Sequence, residues 1–189
     1  MDKLKLQQVP INHSQLSQLF DFVRKDFPFM THIPFFIIRR AMKRGVLHGV
    51  YLTDGEIVYG YAIYQVEPLL NMMHVLYLAI RAEYRSLGLG GALMGRLQEL
   101  AKNGLLLEVE DPEAAKDYEE ITVRTRRISF YERNGLALQS ESRLSHFGYP
   151  ILIMTNKTST GMDWLSYSRQ LYNRAYGFPL ANFVIKTRN

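Results

Sequence analysis

The chain contains no cysteine. That excludes disulfides, thiolate metal sites and a cysteine nucleophile together, and it suits a reducing compartment. Long apolar runs are missing too. The densest one near the amino terminus, 34–38, is far too short to cross a bilayer and ends in Arg39-Arg40. The opening Met1-Asp2-Lys3-Leu4-Lys5-Leu6 lacks the apolar centre of a signal peptide, so a cytoplasmic protein with no membrane partner is expected. Also absent are a long basic tract and any zinc-ligand spacing. The 23 Lys and Arg exceed the 18 Asp and Glu by a net +5, but they fall in small groups at Arg39-Arg40, Lys43-Arg44 and Arg124 to Arg127. Nucleic acid is therefore not indicated and no metal is expected, whereas an anionic small molecule carrying several phosphates would use the same surplus. What is present is ordinary globular material: 189 residues, 47% hydrophobic and 22% charged. That is enough for one domain with a sizeable core and a short extension.

Periodicity divides the chain into elements. Residues 3–9 alternate as a strand, and Leu16, Leu19, Phe20 and Val23 recur at helical spacing. A second helix is expected from Pro34 to about Arg44, with Gly45 as its stop. Strands at 46–52 and 57–66 flank Asp54-Gly55, a hairpin signal, and a third strand covers 73–80. A helix then runs to about Lys102, with Leu93, Met94, Leu97, Leu100 and Ala101 on one side. A buried strand at 105–109, a helix at 121–133, strands at 136–144 and 150–155, and a last helix at 162–176 complete the order. This is a mixed α/β chain with an antiparallel beginning and no repeating βαβ unit.

Between the 73–80 strand and its following helix stands Arg85-Ser86-Leu87-Gly88-Leu89-Gly90-Gly91-Ala92. Helix N-termini leave N–H groups unpaired and favour anions. Glycines at 88, 90 and 91 let such a backbone lie against phosphate oxygens, and Arg85 adds a charge-assisted contact. A dinucleotide fingerprint would need glycine where Leu93 stands, and a P-loop would need Gly-Lys-Ser/Thr where Gly90-Gly91-Ala92 stands. The pattern left is Arg-x-x-Gly-x-Gly. A tight strand-to-helix turn with packing glycines is the plainer reading of the same residues.

About forty residues on, Arg127-Ile128-Ser129-Phe130-Tyr131-Glu132-Arg133-Asn134-Gly135-Leu136 supplies a second motif. The two together resemble the GCN5-related N-acetyltransferase (GNAT) superfamily, over about residues 46–155. The resemblance implies a mixed, largely antiparallel, splayed central sheet flanked by helices. It also implies acetyl-CoA as co-substrate and transfer of acetyl to an amine by direct attack in a ternary complex. Leu78 and Ile80 would offer backbone groups to the acyl and pantetheine arm. Arg85, Ser86, Leu87, Gly88, Leu89, Gly90, Gly91 and Ala92 would hold the pyrophosphate, and Tyr131 would protonate the departing thiolate. Two departures stand out. Many members carry asparagine and alanine seven and four residues before the tyrosine, where this chain has Arg124 and Arg127. Either arginine meets CoA phosphates or is solvated helix charge. For Tyr131 the competing reading is a core aromatic.

The chemistry asks for a base, because at pH 7 only about one lysine-like amine in two thousand is unprotonated. Glu108 and Glu110 fall on one face of their strand by alternation and are the candidates, with His74 a further option that more often proves structural. A strand N–H near Leu78 would serve the oxyanion. Glu67 and Glu83 read as surface charges. The acceptor side is less legible: Phe27, Phe29, Phe35 and Phe36 make one aromatic region, the acidic stretch from Asp111 to Glu120 could draw a cation, and Trp164, Tyr167, Leu171 and Ala175 form a stripe suited to packing or a dimer contact. We expect a GNAT domain over 1–155 and a helical extension over 156–189 packed on it, acting as monomer or homodimer on a small-molecule or peptide amine. A non-catalytic acyl-CoA-binding regulatory module is the alternative. An RNA-associated protein rests only on a pI near 9.4 and the arginines at 124–127.

Overall fold

Strand alternation and helical spacing become real elements in the computed structural model, which describes residues 3–27, 34–68, 71–157 and 161–188. Phe29 lies outside the described residues. The chain forms two compact units, Met1–Lys102 and Asn103–Asn189.

In the first unit, β1 (Lys5–Gln8), β2 (His48–Thr53), β3 (Val58–Val66) and β4 (Met73–Ile80) pair antiparallel in sequence order. The β2–β3 turn is built by Asp54, whose carboxylate accepts from the N–H groups of Glu56 and Ile57 and from the Tyr59 hydroxyl. These donors hold that carboxyl down at about 2. Helix α1 (His13–Asp26) starts at Asn12, whose side chain accepts from the Gln15 N–H, and it buries the four predicted residues Leu16, Leu19, Phe20 and Val23. Helix α2 (Phe35–Lys43) follows Pro34, which sits at the cap itself. Both helices come down on β2 at Gly49, where a Cβ would stand 2.9 Å from both Leu19 Cδ2 and Met42 Cε. Of the aromatic region, Phe35 packs on Phe20 and Phe27 on Tyr77, while Phe36 is exposed. Helix α3 (Leu89–Leu100) buries Leu89, Leu93, Met94 and Leu97, and Leu100 at its end is exposed.

One irregularity matters for the site. In β4, Val75 pairs with Tyr64 and Tyr77 with Ile63, so Leu76 is an extra residue with no partner on β3. Such a bulge bends the strand and re-aims the residues beyond it. Glu67, just past β3, is buried at 2% exposure, where the sequence suggested a surface charge. Its N–H closes the β3–β4 connection on the Met72 carbonyl, and that closure draws the residue inward. Glu83 is exposed as expected.

In the second unit, β5 (Leu105–Glu110), β6 (Ala137–His146), β7 (Tyr149–Thr155) and β8 (Ile185–Thr187) pair antiparallel as β5-β7-β6-β8. Helix α4 (Tyr118–Arg133) begins at Asp117, which accepts from the Glu120 N–H, so it starts three residues before the apolar pattern does. Helix α5 (Trp164–Tyr176) is capped by Asp163 and ends at Gly177 in the left-handed region. Its stripe, Trp164, Tyr167, Leu171 and Ala175, is buried within this unit. The short α6 (Ala181–Val184) and β8 carry no sequence signal of their own and were not expected. The architecture is the mixed α/β one, with antiparallel sheets flanked by helices. Among the described residues, no helix is long and apolar enough to cross a membrane.

Candidate active site

The candidate residues divide between the two units. The first unit holds Leu78, Ile80 and the turn from Arg85 to Ala92. After β4 the chain makes a 3-10 turn, 82–84, and reaches α3 through an exposed segment, 85–88. Ser86 has φ 64° and Gly88, the α3 cap, has φ 73°. A left-handed conformation costs a residue with a Cβ roughly 1–2 kcal/mol, so glycine suits position 88 and Ser86 is held there by its surroundings. No side chain caps α3. The first intrahelical bond runs from the Ala92 N–H to the Gly88 carbonyl, so the amides of Leu89, Gly90 and Gly91 lie ahead of the ladder. Turns with left-handed residues gather N–H groups into concavities that suit anions.

Arg85 is held from two sides. Its Nε–H donates to the Ile80 carbonyl at 3.0 Å and its Nη2 to Asp26 Oδ1 at 2.7 Å. The other Asp26 oxygen accepts from the buried Tyr61 hydroxyl at 3.0 Å, so the end of α1 and strand β3 both orient this guanidinium. Burial and the adjacent Asp26 push the Tyr61 phenol far up, which keeps it a donor. Two of the five guanidinium N–H groups are used in this way, and the side chain remains 56% exposed. Leu78 and Ile80 are half-buried and lie beyond the β4 bulge, opposite Ala62 and Gly60. His74 is buried, its Nδ1 3.3 Å from Gln65 Nε2, a structural setting.

The second unit holds Glu108, Glu110, Arg124 and Tyr131. Alternation along β5 does leave both glutamates less buried than Leu107 and Val109. Glu110 meets the guanidinium of Arg127. Glu108 accepts from the Tyr172 hydroxyl at 2.9 Å and lies 3.5 Å from His146 Nδ1, while His146 Nε2 is 3.0 Å from the Tyr176 hydroxyl. Arg124 donates to the Asp111 carbonyl and to Glu120, a local brace with its side chain only 15% exposed. Tyr131 is buried at 7% exposure, and burial pushes its phenol up to about 12, with Arg127 pulling it down and Glu110 pushing it up. It is therefore a neutral O–H at any physiological pH.

Three of the five carboxylates in the acidic stretch are paired with arginines, and a fourth, Asp117, caps α4. Asp111 binds Arg188 at 2.7 Å, Glu113 binds Arg143 at 3.1 Å and Glu120 binds Arg124 at 2.9 Å. His146, Tyr172, Tyr176 and Arg188 carry no local sequence signal, because each meets its partner across a long stretch of chain. Among the described residues there is no cluster of His, Asp or Glu able to hold a metal.

The first unit thus sets an uncapped, glycine-led helix after a bulged strand, in a mixed antiparallel α/β chain. Residues 44–135 match the family model described as the acetyltransferase (GNAT) domain. A protein from Bacteroides thetaiotaomicron assigned to the GNAT acetyltransferases superposes with a TM-score of 0.75 at 21% identity, over 92% of this chain and 98% of that one. An aminoglycoside 6'-N-acetyltransferase complexed with coenzyme A gives 0.60 at 16%, over 80% and 95%. A Bacillus subtilis acetyltransferase in complex with CoA gives 0.56 at 10%, over 82% and 99%. No curated protein matches. Over residues 44–135 the chain thus matches the acetyltransferase (GNAT) domain, and its fold is that of the GCN5-related N-acetyltransferases.

Proposed function

We propose that this protein is an acyl-CoA-dependent N-acyltransferase that moves acetyl from acetyl-CoA to an amine. The observation that carries the reading is the uncapped start of α3, with Ser86 and Gly88 both left-handed. Pyrophosphate is the group this end suits: the amides at 89–91 precede the helical ladder, the helix dipole favours negative charge, and 85–88 is exposed. Arg85, oriented by Asp26, retains N–H groups for a phosphate oxygen. Leu78 and Ile80 lend backbone groups to the pantetheine arm. CoA complexes of two proteins with this fold support the same assignment.

The bound thioester supplies an activated acyl carbon; the rest falls to this chain. Tyr131 gives the leaving sulfur a proton, since a neutral phenol can sit beside a thioester without a desolvated charge. Glu108 is the better placed of the two candidate bases, because Glu110 is engaged by Arg127. Tyr172 and His146 fix the Glu108 carboxylate, and the imidazole beside it offers a second proton acceptor. Arg124 serves as a brace for α4.

Calorimetric titration with acetyl-CoA tests the donor half, followed by free-thiol release across a panel of aminoglycosides, polyamines, amino acids and peptides. Binding with thiol release on at least one amine is expected. No binding at millimolar acetyl-CoA would sink the assignment, and binding without turnover on any amine would leave a regulatory module.

A further inference from the structure

The arginine at 127, where many members of the superfamily carry alanine, acquires a setting in this structure. Four residues are one helical turn, so Arg127 and Tyr131 lie on the same face of α4. From β5, Glu110 engages the Arg127 guanidinium; the two side chains are 28% and 36% exposed, while Tyr131 is buried. Burial raises the phenol's pKa, and these two charges bear on it in opposite senses, Arg127 lowering it and Glu110 raising it. On β6, Arg143 is turned to Glu113, and on α4 itself Arg124 is turned to Glu120.

We propose that Arg127, held by Glu110, is a positioning residue for Tyr131: it steadies the negative oxygen left when Tyr131 gives its proton away. This rests on the reading of Tyr131 as proton donor. The amine nitrogen bonds to the acyl carbon, the carbon–sulfur bond breaks, sulfur takes the proton of the Tyr131 O–H, and the surplus proton of the nitrogen passes to Glu108, from which water returns a proton to the phenol. A phenol at about 12 facing a thiol of ordinary acidity transfers its proton against a penalty of roughly 3000-fold. That value already includes the pull of Arg127, so removing the fixed cation one turn away would deepen the penalty. Glu110 keeps the cation in place at the cost of some of its field, which makes it a counter-ion and leaves the base to Glu108.

The test places 3,5-difluorotyrosine at position 131 of the full chain, which brings ionisation into a range where the fold survives, and reads its midpoint by fluorine NMR. Arg127→Leu should raise the midpoint and Glu110→Gln should lower it. In the unlabelled protein Arg127→Leu should cut kcat about tenfold at unchanged acetyl-CoA affinity, and should add nothing in a Tyr131→Phe background. A merely structural ion pair would move the midpoint in one direction for both variants, or not at all, and either result overturns the proposal. Additive losses with Tyr131→Phe would do the same. Arg127→Lys, which keeps the charge, should hold the midpoint near that of the parent and covers the case in which the leucine variant fails to fold. Opposite midpoint shifts without thiol release on any amine would sink the transferase reading, and the catalytic role with it, while the electrostatic pairing stands.

Discussion

The turn at 85–91 and strand β5, on which the proposed function draws, are built in two different currencies. The turn is mostly main chain, with glycines, left-handed residues and unpaired amides within a few residues of each other, and only Arg85 reaches far, to Asp26 across 59 residues. Strand β5 works through side chains whose partners come from far away, Glu108 from Tyr172 across 64 residues and Asp111, just beyond it, from Arg188 across 77. A backbone device depends on what each residue lacks, so it tolerates little bulk. A side-chain device depends on what its partners supply, so it fails when a distant residue changes.

That contrast can be broken at either end. The largest effect is expected from Gly90→Glu, which sets bulk and negative charge at the start of α3; acetyl-CoA affinity measured by calorimetry should fall on the order of 1000-fold with the circular dichroism unchanged. Binding at parental strength would show that the amides there do not meet the pyrophosphate. Next, Asp111→Ala strands the Arg188 partner of a carboxylate that is 3% exposed. Urea unfolding should report a loss of about 3 kcal/mol, and a loss near zero would reduce the C-terminal pairing to decoration. Tyr131→Phe should lower turnover about 100-fold and spare cofactor affinity; parallel losses in both would make the tyrosine a packing residue.

The smallest effect concerns pH and compares the units directly. Burial holds Tyr51 in the first unit and Tyr131 in the second at about 12, against an ordinary value near 10. A phenol that stays protonated in the fold after it would ionise in the unfolded chain binds more protons when native. Its contribution is therefore intact below pH 10 and is lost as pH rises towards 12. Stability measured over that window should decline, and less steeply in Tyr51→Phe and Tyr131→Phe. A flat profile would mean that neither phenol is dry.

Legibility divides along the same line. Asn12, Asp54 and the apolar positions of α1 act on neighbours a few residues away, so local pattern suffices to place them. The glycines of the Arg85–Gly91 segment mark a strand-to-helix turn for the same reason, whereas the tether of Arg85 to Asp26 is not local. The partners of Glu108 and Asp111 could not be read, because no periodicity links residues that distant. The burial of Glu67, the α6–β8 ending and the left-handed Ser86 also depend on tertiary closure. Arg124 and Arg127 were visible as departures but not as partners, since spacing along α4 says nothing about Glu110 on another strand.

The unpaired Leu76 has a consequence for anyone comparing or engineering this chain. It acts as a phase slip in a two-beat rhythm: one residue is spent, and every side chain after it keeps time with the opposite beat. Deleting Leu76 would restore a regular count along β4 and leave Leu78 and Ile80 opposite Ala62 and Gly60, whereas inserting one residue between Tyr77 and Leu78 would turn both over. In an alignment, a single gap misplaced here would exchange the residues on one face of the strand for those on the other.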